Sequence, residues 1–404
     1  MKCLSVNVGS SSLKFRLFEM PGEKVLLSGH IEKIGHKDSF WTTRIKGQKH
    51  PGARYLKNHA AAAEVVKEEL LKFKAVESLD EIKGVGHRVL HGGEKYFDSV
   101  LITDEVIDDI KELTKLGPLH HPGNLAGIEA MKAALPNAPM VAVFDTAFHQ
   151  TMPKENYMYP VPYEWYEKYG VRKYGFHGSS HKFITQRMMK LLGKRKVNLI
   201  VCHIGSGSSI TAIKDSKSYD TTMGLTPLDG LMMGTRSGSI DPSIVDYMCR
   251  ETGKPVGEIN NALNMESGSF GVCGENDSRD IEALAEKGDE KAKLAIRMYN
   301  DRVAKYIVDY YIELGGKVDA IVFTAGAGEN GISFREDVMK KLAPLGIKIN
   351  KSMNAKVASF KDIHEGKISS KNSSVDVYVV PTNEESIIIG DTYRICNEYY
   401  KNKK

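Results

Sequence analysis

Cysteine is scarce and never paired in sequence. There are five residues (Cys3, Cys202, Cys249, Cys273, Cys396), an odd number, with no C-x-x-C spacing. That excludes a disulfide framework and points to free, mostly buried thiols in a reducing compartment. No His/Cys cluster has metal-ligand spacing. His120 and His121 are adjacent rather than i, i+4, and Pro122 is expected to interrupt any helix there, which argues against zinc. No uncharged apolar run approaches the ~18 residues of a membrane span, and no basic-then-apolar segment precedes the first strand pattern, so a cytoplasmic protein is expected. Charge of one sign is lacking too. The net charge is +5 over 404 residues, and only Lys401, Lys403 and Lys404 cluster, as a solvated tail. Neither nucleic acid nor a membrane surface is an expected partner. Ser179 with His181 lacks the strand–elbow context of a hydrolase nucleophile.

What the chain does have is a near-repeat. Asn7-Val8-Gly9-Ser10-Ser11-Ser12-Leu13-Lys14-Phe15 and His203-Ile204-Gly205-Ser206-Gly207-Ser208-Ser209-Ile210-Thr211 each follow an apolar run and precede another. Both read as strand, Gly/Ser turn, strand. Glycine turns without a Cβ penalty, and successive N–H groups at such a turn form an anion-binding concavity. Two of them suggest a duplicated domain with a phosphate between the halves. The length itself favours two domains, and 41% hydrophobic and 26% charged residues are ordinary for a globular protein.

Taken in order, 25–31 reads as a third strand and 36–52 as a polar surface excursion. Helical spacing covers 59–73, 104–115 and 124–134, with strands at 84–90 and 140–144. A Pro- and Tyr-rich stretch, 152–165, marks the boundary. Beyond it come a helix to Leu192, strands at 199–202, 210–213 and 218–222, and an irregular Gly-rich stretch at 224–242. Helices follow at 241–251 and 289–314, strands at 318–323 and 375–380, and a last helix that could cross back to the first domain. Ile307, Tyr310, Tyr311 and Leu314 share a face that is core or subunit interface. Strands first, then alternating helix and strand, is an α/β signature.

In open α/β sheets ligands sit beyond the carboxyl ends of strands. Here apolar strands end in polar or Gly-rich turns at Asn7, Arg88, Asp145, His203, Gly326 and Asn383, which points to a shared active cleft. Phosphoryl transfer fits. Mg²⁺ takes one or two carboxylates plus phosphate oxygens, which suits Asp145 and Glu384 with Asn7 orienting a bound water. Fixed positive charge on the migrating group suits Arg236, between glycines, and Arg88. His177, between Phe176 and Gly178, can donate to an equatorial oxygen.

On these residues the chain resembles the acetokinase family. The likeness runs nearly end to end, through NVGSSSLKF (7–15), HRVLHGG (87–93), VFDTAFHQTMP (143–153), YGFHGSSH (174–181), MGLTPLDGLMMGTRSG (223–238), TAGAGEN (324–330) and PTNEE (381–385). It implies an α/β fold of two duplicated actin-like ATPase (ribonuclease H-like) domains around a central cleft, in a homodimer. Residues 1–150 with 385–404 would form the first domain, and 151–384 the nucleotide-binding one. The implied reaction is reversible transfer of the ATP γ-phosphoryl group to acetate, giving ADP and acetyl phosphate, with Mg²⁺ or Mn²⁺. Asn7 and Glu384 would attend the metal. Lys14, His203, Ile204, Gly205, Ser206, Gly207, Gly326, Ala327, Gly328, Glu329 and Asn330 would handle nucleotide and phosphates, with Asp277, Ser278 and Arg279 by the nucleoside. Arg88 would hold acetate, its methyl pocket being Leu90, Leu119, Phe176 and Pro227 with His120 beside it. Asp145 would be the acid/base residue, and His177 and Arg236 would stabilise the transition state. Acetate, with a carboxyl pKa near ~4, is already ionised at neutral pH, so Asp145 is expected to act instead through metal and positioning.

Three departures stand out. Ser206 replaces the asparagine of the family's H-L-G-N-G turn, Leu90 stands where valine is common, and Ser278 replaces an aromatic. They bear on the phosphoryl donor, on acetate against propionate, and on base selectivity. A propionate or butyrate kinase, a pyrophosphate-dependent acetate kinase and a non-catalytic actin-like nucleotide-binding protein are the alternatives.

Overall fold

The computed structural model describes residues 1–118 and 120–403. The chain separates into two units, Met1–Gln150 with the segment from Asn383, and Thr151–Thr382. Asn383 and Glu384 group with the first.

The first unit carries one eight-stranded sheet in the order β5-β4-β3-β2-β1-β6-β8-β7. Its strands are β1 (Lys2–Val8), β2 (Leu13–Glu19), β3 (Lys24–Glu32), β4 (Phe40–Ile45), β5 (Gln48–Ala53), β6 (Ile82–Val89), β7 (Val100–Leu101) and β8 (Met140–Phe144). β1, β2 and β3 run antiparallel, whereas β1–β6 and β6–β8 are parallel. The wholly buried β8, Met-Val-Ala-Val-Phe, is apolar at every position, as a strand covered on both faces must be.

The second unit carries a six-stranded sheet, β11-β10-β9-β12-β14-β13. These are β9 (Leu199–Ile204), β10 (Ser208–Lys214), β11 (Lys217–Thr221), β12 (Ala320–Thr324), β13 (Gly366–Lys367) and β14 (Asp376–Val379). The pairing pattern repeats: an antiparallel meander, two parallel neighbours, then an antiparallel edge strand. Ile307, Tyr310 and Leu314 of the helix Glu290–Glu313 lie in this unit's core with Tyr311 packed against it, which decides between the two roles open to that stripe.

Four local expectations change. The stretch 36–52, read as a polar surface excursion, contains the β4–β5 hairpin, whose outer strand is largely exposed. Its polar strands hide the signal, but Lys46 and Gly47 both have positive φ, as a two-residue type I′ turn requires, and buried Trp41 packs over Gly52. Pro122 does not interrupt a helix. The helix His121–Ala134 starts one residue earlier, and proline is tolerated in a first turn whose N–H groups are unpaired anyway. Residues 256–286, left unassigned above, form helices Val256–Met265, Gly268–Cys273 and Ser278–Glu286. They bury few residues, Ile259 and Ile281 being the buried aliphatic side chains, so no dense apolar run marks them. The Gly-rich segment after β12 is a short helix, Ala325–Asn330, rather than an open turn.

The last helix, Glu384–Asn402, lies on β6 and β1. It approaches so closely that a Cβ on Gly86 would sit 2.1 Å from Thr392 Oγ1 and 2.9 Å from Ile388 Cγ2. Ser99 and Asp391 hydrogen-bond at 2.8 Å, and Arg394 reaches Asp98 at 2.8 Å. Gly86→Ala should therefore cost about 1–3 kcal/mol in urea unfolding, through overpacking. Gly257→Ala, on an open helical position, should be neutral or stabilising by up to about 1 kcal/mol. Equal effects of the two would show that the close packing is not what holds this helix.

Candidate active site

In the first unit, sheet register brings the functional side chains level. Val6 lies opposite His87, so Asn7 on β1 falls beside Arg88 on β6, and the Asp145 N–H, just past β8, donates to the Val89 carbonyl at 3.0 Å. Arg88 Nε donates to both Asp145 oxygens at 3.0 Å, and Nη2 to Oδ2 at 2.5 Å. The Asp145 side chain is 1% exposed and that of Arg88 25%. Burial pushes the Asp145 carboxyl up from its usual range while the Arg88 charge opposes the rise, and Asp145 in turn holds Arg88 more firmly protonated. The Glu384 carboxylate acts on both, raising each, and His120 acts on Asp145.

Residues that the sequence reading passed over fix these strand ends. Asn124 accepts from Leu90 N at 3.1 Å and donates to the Val8 carbonyl at 3.2 Å, tying β1 to β6. Thr146 Oγ1 accepts from Gly92 N at 3.0 Å. Both lie beside motifs already singled out, but nothing in an isolated Asn or Thr announces such a bond. Lys14 is exposed on β2 opposite Asn7. Leu90 is half-buried, and Leu119 lies outside the described residues.

In the second unit, the Gly205–Gly207 turn between β9 and β10 gathers two groups. A Cβ on Gly207 would lie 3.3 Å from His177 Nε2 and 3.5 Å from Arg236 Nη1. One on Gly205 would lie 3.7 Å from Ala325 Cβ and 3.9 Å from Gly326 N, so the second Gly-rich motif abuts the first. Ser206 is exposed at the tip, and Ile204 is buried. His177 and Ala325 both hold a left-handed backbone (φ 56° and 65°), a conformation that costs a non-glycine residue about 1–2 kcal/mol and concentrates at functional sites.

Arg236 is treated unlike Arg88. It is half-buried, and its Nη1 meets only the Pro227 carbonyl at 3.4 Å and Met233 Sδ at 3.6 Å. No carboxylate among the described residues pairs with it, and burial lowers its affinity for its proton. Its loop is rigid nonetheless. Met233 N donates to the Arg236 carbonyl at 3.0 Å, and Gly268 (φ 61°) passes so close that a Cβ would lie 2.1 Å from the Met233 carbonyl. A cation held this way is a site for an anion.

A buried polar network backs the turn. Ser180 Oγ lies 2.8 Å from His203 Nδ1 and 2.7 Å from Thr382 Oγ1, and Ser209 Oγ contacts both His177 and His181. Glu329 accepts from Ala325 N at 2.9 Å and Thr382 N at 3.0 Å. Asn330 Nδ2 donates to the Gly326 carbonyl at 2.9 Å, while Ala327 and Gly328 lie on the same helix. Asp277 caps the helix Ser278–Glu286 and is clasped by Arg279, which draws its carboxyl down to about 2; the neighbouring Asn276 carbonyl would lie 3.2 Å from a Cβ on Gly234. Ser278 and Arg279 are exposed, and Phe176 is buried.

Among the described residues no helix is long and apolar enough to cross a membrane, and no group of three or more His, Cys, Asp or Glu could hold a metal. The oxygen-only set of Asn7, Asp145 and Glu384 nonetheless fits Mg²⁺, a hard cation that asks for few carboxylates.

The Acetokinase family model matches residues 2–390. The acetate kinase of Bacillus cytotoxicus is 49% identical over 399 residues, 98% of this chain and 99% of its own. The crystal structure of Porphyromonas gingivalis acetate kinase superposes with a TM-score of 0.91 at 42% identity, covering 98% of this chain and 99% of that one. A propionate kinase from Francisella tularensis subsp. tularensis SCHU S4 has the same TM-score at 44% identity, with the same coverage.

The two arginines should differ in stability as they differ in pairing. Arg88→Met orphans a buried carboxylate and should cost about 3–5 kcal/mol near pH 7, whereas Arg236→Met should stay within about 1 kcal/mol of wild type. Asp145 in the first variant has a folded-state pKa raised further above its unfolded value of ~4. A carboxyl raised on folding is destabilising above the unfolded pKa, so the Arg88→Met deficit should shrink as pH falls toward ~4. Urea unfolding at both pH values checks this; a deficit independent of pH would contradict the pairing.

Proposed function

This chain belongs to the acetokinase family, and from that premise we propose that it transfers the γ-phosphoryl group of ATP reversibly to acetate, giving ADP and acetyl phosphate. The observation that carries the reading is Arg236: a half-buried guanidinium that no carboxylate among the described residues pairs with, beside a Gly/Ser turn and a histidine Nε2. That grouping suits a migrating phosphoryl group, whose charge needs fixed donors at its oxygens. In the transfer an acetate oxygen forms the new bond to the γ-phosphorus as the bond to the β-γ bridging oxygen breaks, and ADP leaves with that electron pair. His177 donates from Nε2 to an equatorial oxygen, and Arg236 offsets the developing charge.

Arg88 anchors the acetate carboxylate. Asp145 occupies its Nε and Nη2, which leaves Nη1 directed by a fixed partner. A carboxylate engaged this way is a poor base, and acetate, ionised above ~4, needs none; Asp145 therefore positions Arg88 and, with Asn7 and Glu384, holds Mg²⁺. An ion held by these residues would supply positive charge against that of the phosphate oxygens. Lys14, the turn His203–Gly207 and the helix Ala325–Asn330 take the nucleotide phosphates, with Asp277–Arg279 by the nucleoside. A homodimer is part of the same reading, tested by sedimentation.

A hydroxamate assay for acetyl phosphate, run with ATP, GTP and pyrophosphate, tests the reaction and its donor. Turnover should vanish with EDTA and return with Mg²⁺, and Arg236→Ala should lose roughly 10³-fold or more in kcat. Asp145→Asn should lose Mg²⁺-dependent turnover; normal metal dependence with a displaced pH–rate profile would instead make Asp145 an acid/base residue. Propionate is the second acceptor to try, since a propionate kinase is so close a relative. Leu90 should crowd the extra methylene, worth about 1–3 kcal/mol, and equal kcat/KM for the two acids would refute that role.

A further inference from the structure

We propose that Ser209 is a positioning residue: its hydroxyl donates to His177 Nδ1 and so keeps the imidazole proton on Nε2, toward the phosphate turn. The proposal rests on the reading of His177 as a donor to the phosphoryl group. Ser209 lies on β10 opposite His203, fully buried. Its Oγ is 3.0 Å from His177 Nδ1 and 2.8 Å from His181 Nε2. A serine hydroxyl has one hydrogen and two lone pairs, so it can donate to only one of these nitrogens and must accept from the other.

Two directions are open. If Ser209 donated to His181, His177 would hold its proton on Nδ1, and a neutral ring would aim a lone pair from Nε2 at an anionic oxygen, which repels. A second proton on the ring would relieve that, but it would set a second positive charge near Arg236, whose Nη1 lies 3.5 Å from the same Gly207 Cβ position that His177 Nε2 approaches at 3.3 Å. The opposite direction satisfies the Ser209 hydroxyl and the two ring nitrogens that face it. His181 Nε2–H donates to Ser209, Ser209 O–H donates to His177 Nδ1, and His177 Nε2–H faces the turn. The ring is fixed in two dimensions as well. Its edge is held by Ser209 and its face stacks on His203, with centroids 4.1 Å apart at 23°, while Ser180 holds His203 through Nδ1. The left-handed backbone at His177 and the bond from His181 N to the His177 carbonyl, 3.0 Å, set where the ring starts.

Two measurements on the full chain test this. Long-range ¹H–¹⁵N spectra of the ¹⁵N-labelled protein, with His177 signals identified by their loss in His177→Ala, should show the proton on Nε2. Ser209→Ala should lower kcat about 10- to 100-fold, the usual worth of a partner that orients a working histidine. KM for ATP and for acetate should hold within about twofold, since ground-state binding is untouched. Ser209→Thr, which keeps the hydroxyl, should restore most of the rate. A proton on Nδ1 in the wild-type protein overturns the proposal even if Ser209→Ala fails to fold. Wild-type kcat in Ser209→Ala, with His177→Ala inactive, overturns this proposal alone; full turnover in His177→Ala overturns the role of His177 itself.

Discussion

Arg236 keeps a positive charge where burial opposes it, and the surrounding loop is built to tolerate that. One backbone carbonyl, that of Pro227, and the Met233 thioether meet the guanidinium, and neither neutralises it. Such an arrangement persists only if the loop cannot relax, since a mobile arginine would swing to water or to an acid. The loop cannot relax because Tyr159 OH bonds Asp229 at 3.0 Å and receives Leu225 N at 3.0 Å, while Ser239 closes on Asp229. Side-chain hydrogen bonds in the second unit thus hold the loop that carries this charge.

The two units solve different problems on one scaffold. Each has the same central order, a meander of three strands followed by two parallel ones. In the first unit the strand ends carry an arginine already matched by a carboxylate, with a second carboxylate at the start of the final helix. In the second they carry a glycine turn, a strained strand-to-helix junction at Ala325 and a histidine network. The shared topology explains why polar side chains gather at equivalent strand ends, and the different residues give the two halves different chemistry: a paired guanidinium and carboxylates in one, a glycine turn and an uncompensated guanidinium in the other.

Much of this was legible in the residues. The apolar runs of β1, β9 and β12 announced central strands because strands buried on both faces leave no polar position, and the Gly/Ser turns stood out because only such residues serve there. Elements that bury little were missed. The β4–β5 hairpin and the helices between Val256 and Glu286 lean on a few buried side chains such as Trp41, Ile259 and Ile281, too few to form a dense apolar run. Asn124, Thr146, Ser180 and Ser209 were invisible for another reason: each matters through a partner that the chain brings near only on folding.

The amino-acid sequence by itself determined the duplicated α/β architecture and the two glycine turns, and it singled out Arg88, Asp145, His177 and Arg236 as candidates, because those readings depend on residue type and local spacing. Only the tertiary structure decided that Arg88 pairs with Asp145 while no carboxylate among the described residues pairs with Arg236, that Glu329 turns its carboxylate onto two backbone amides, and that one buried hydroxyl serves two histidines. Pairing, burial and proton placement are properties of neighbours, and neighbours far apart along the chain are assigned by packing.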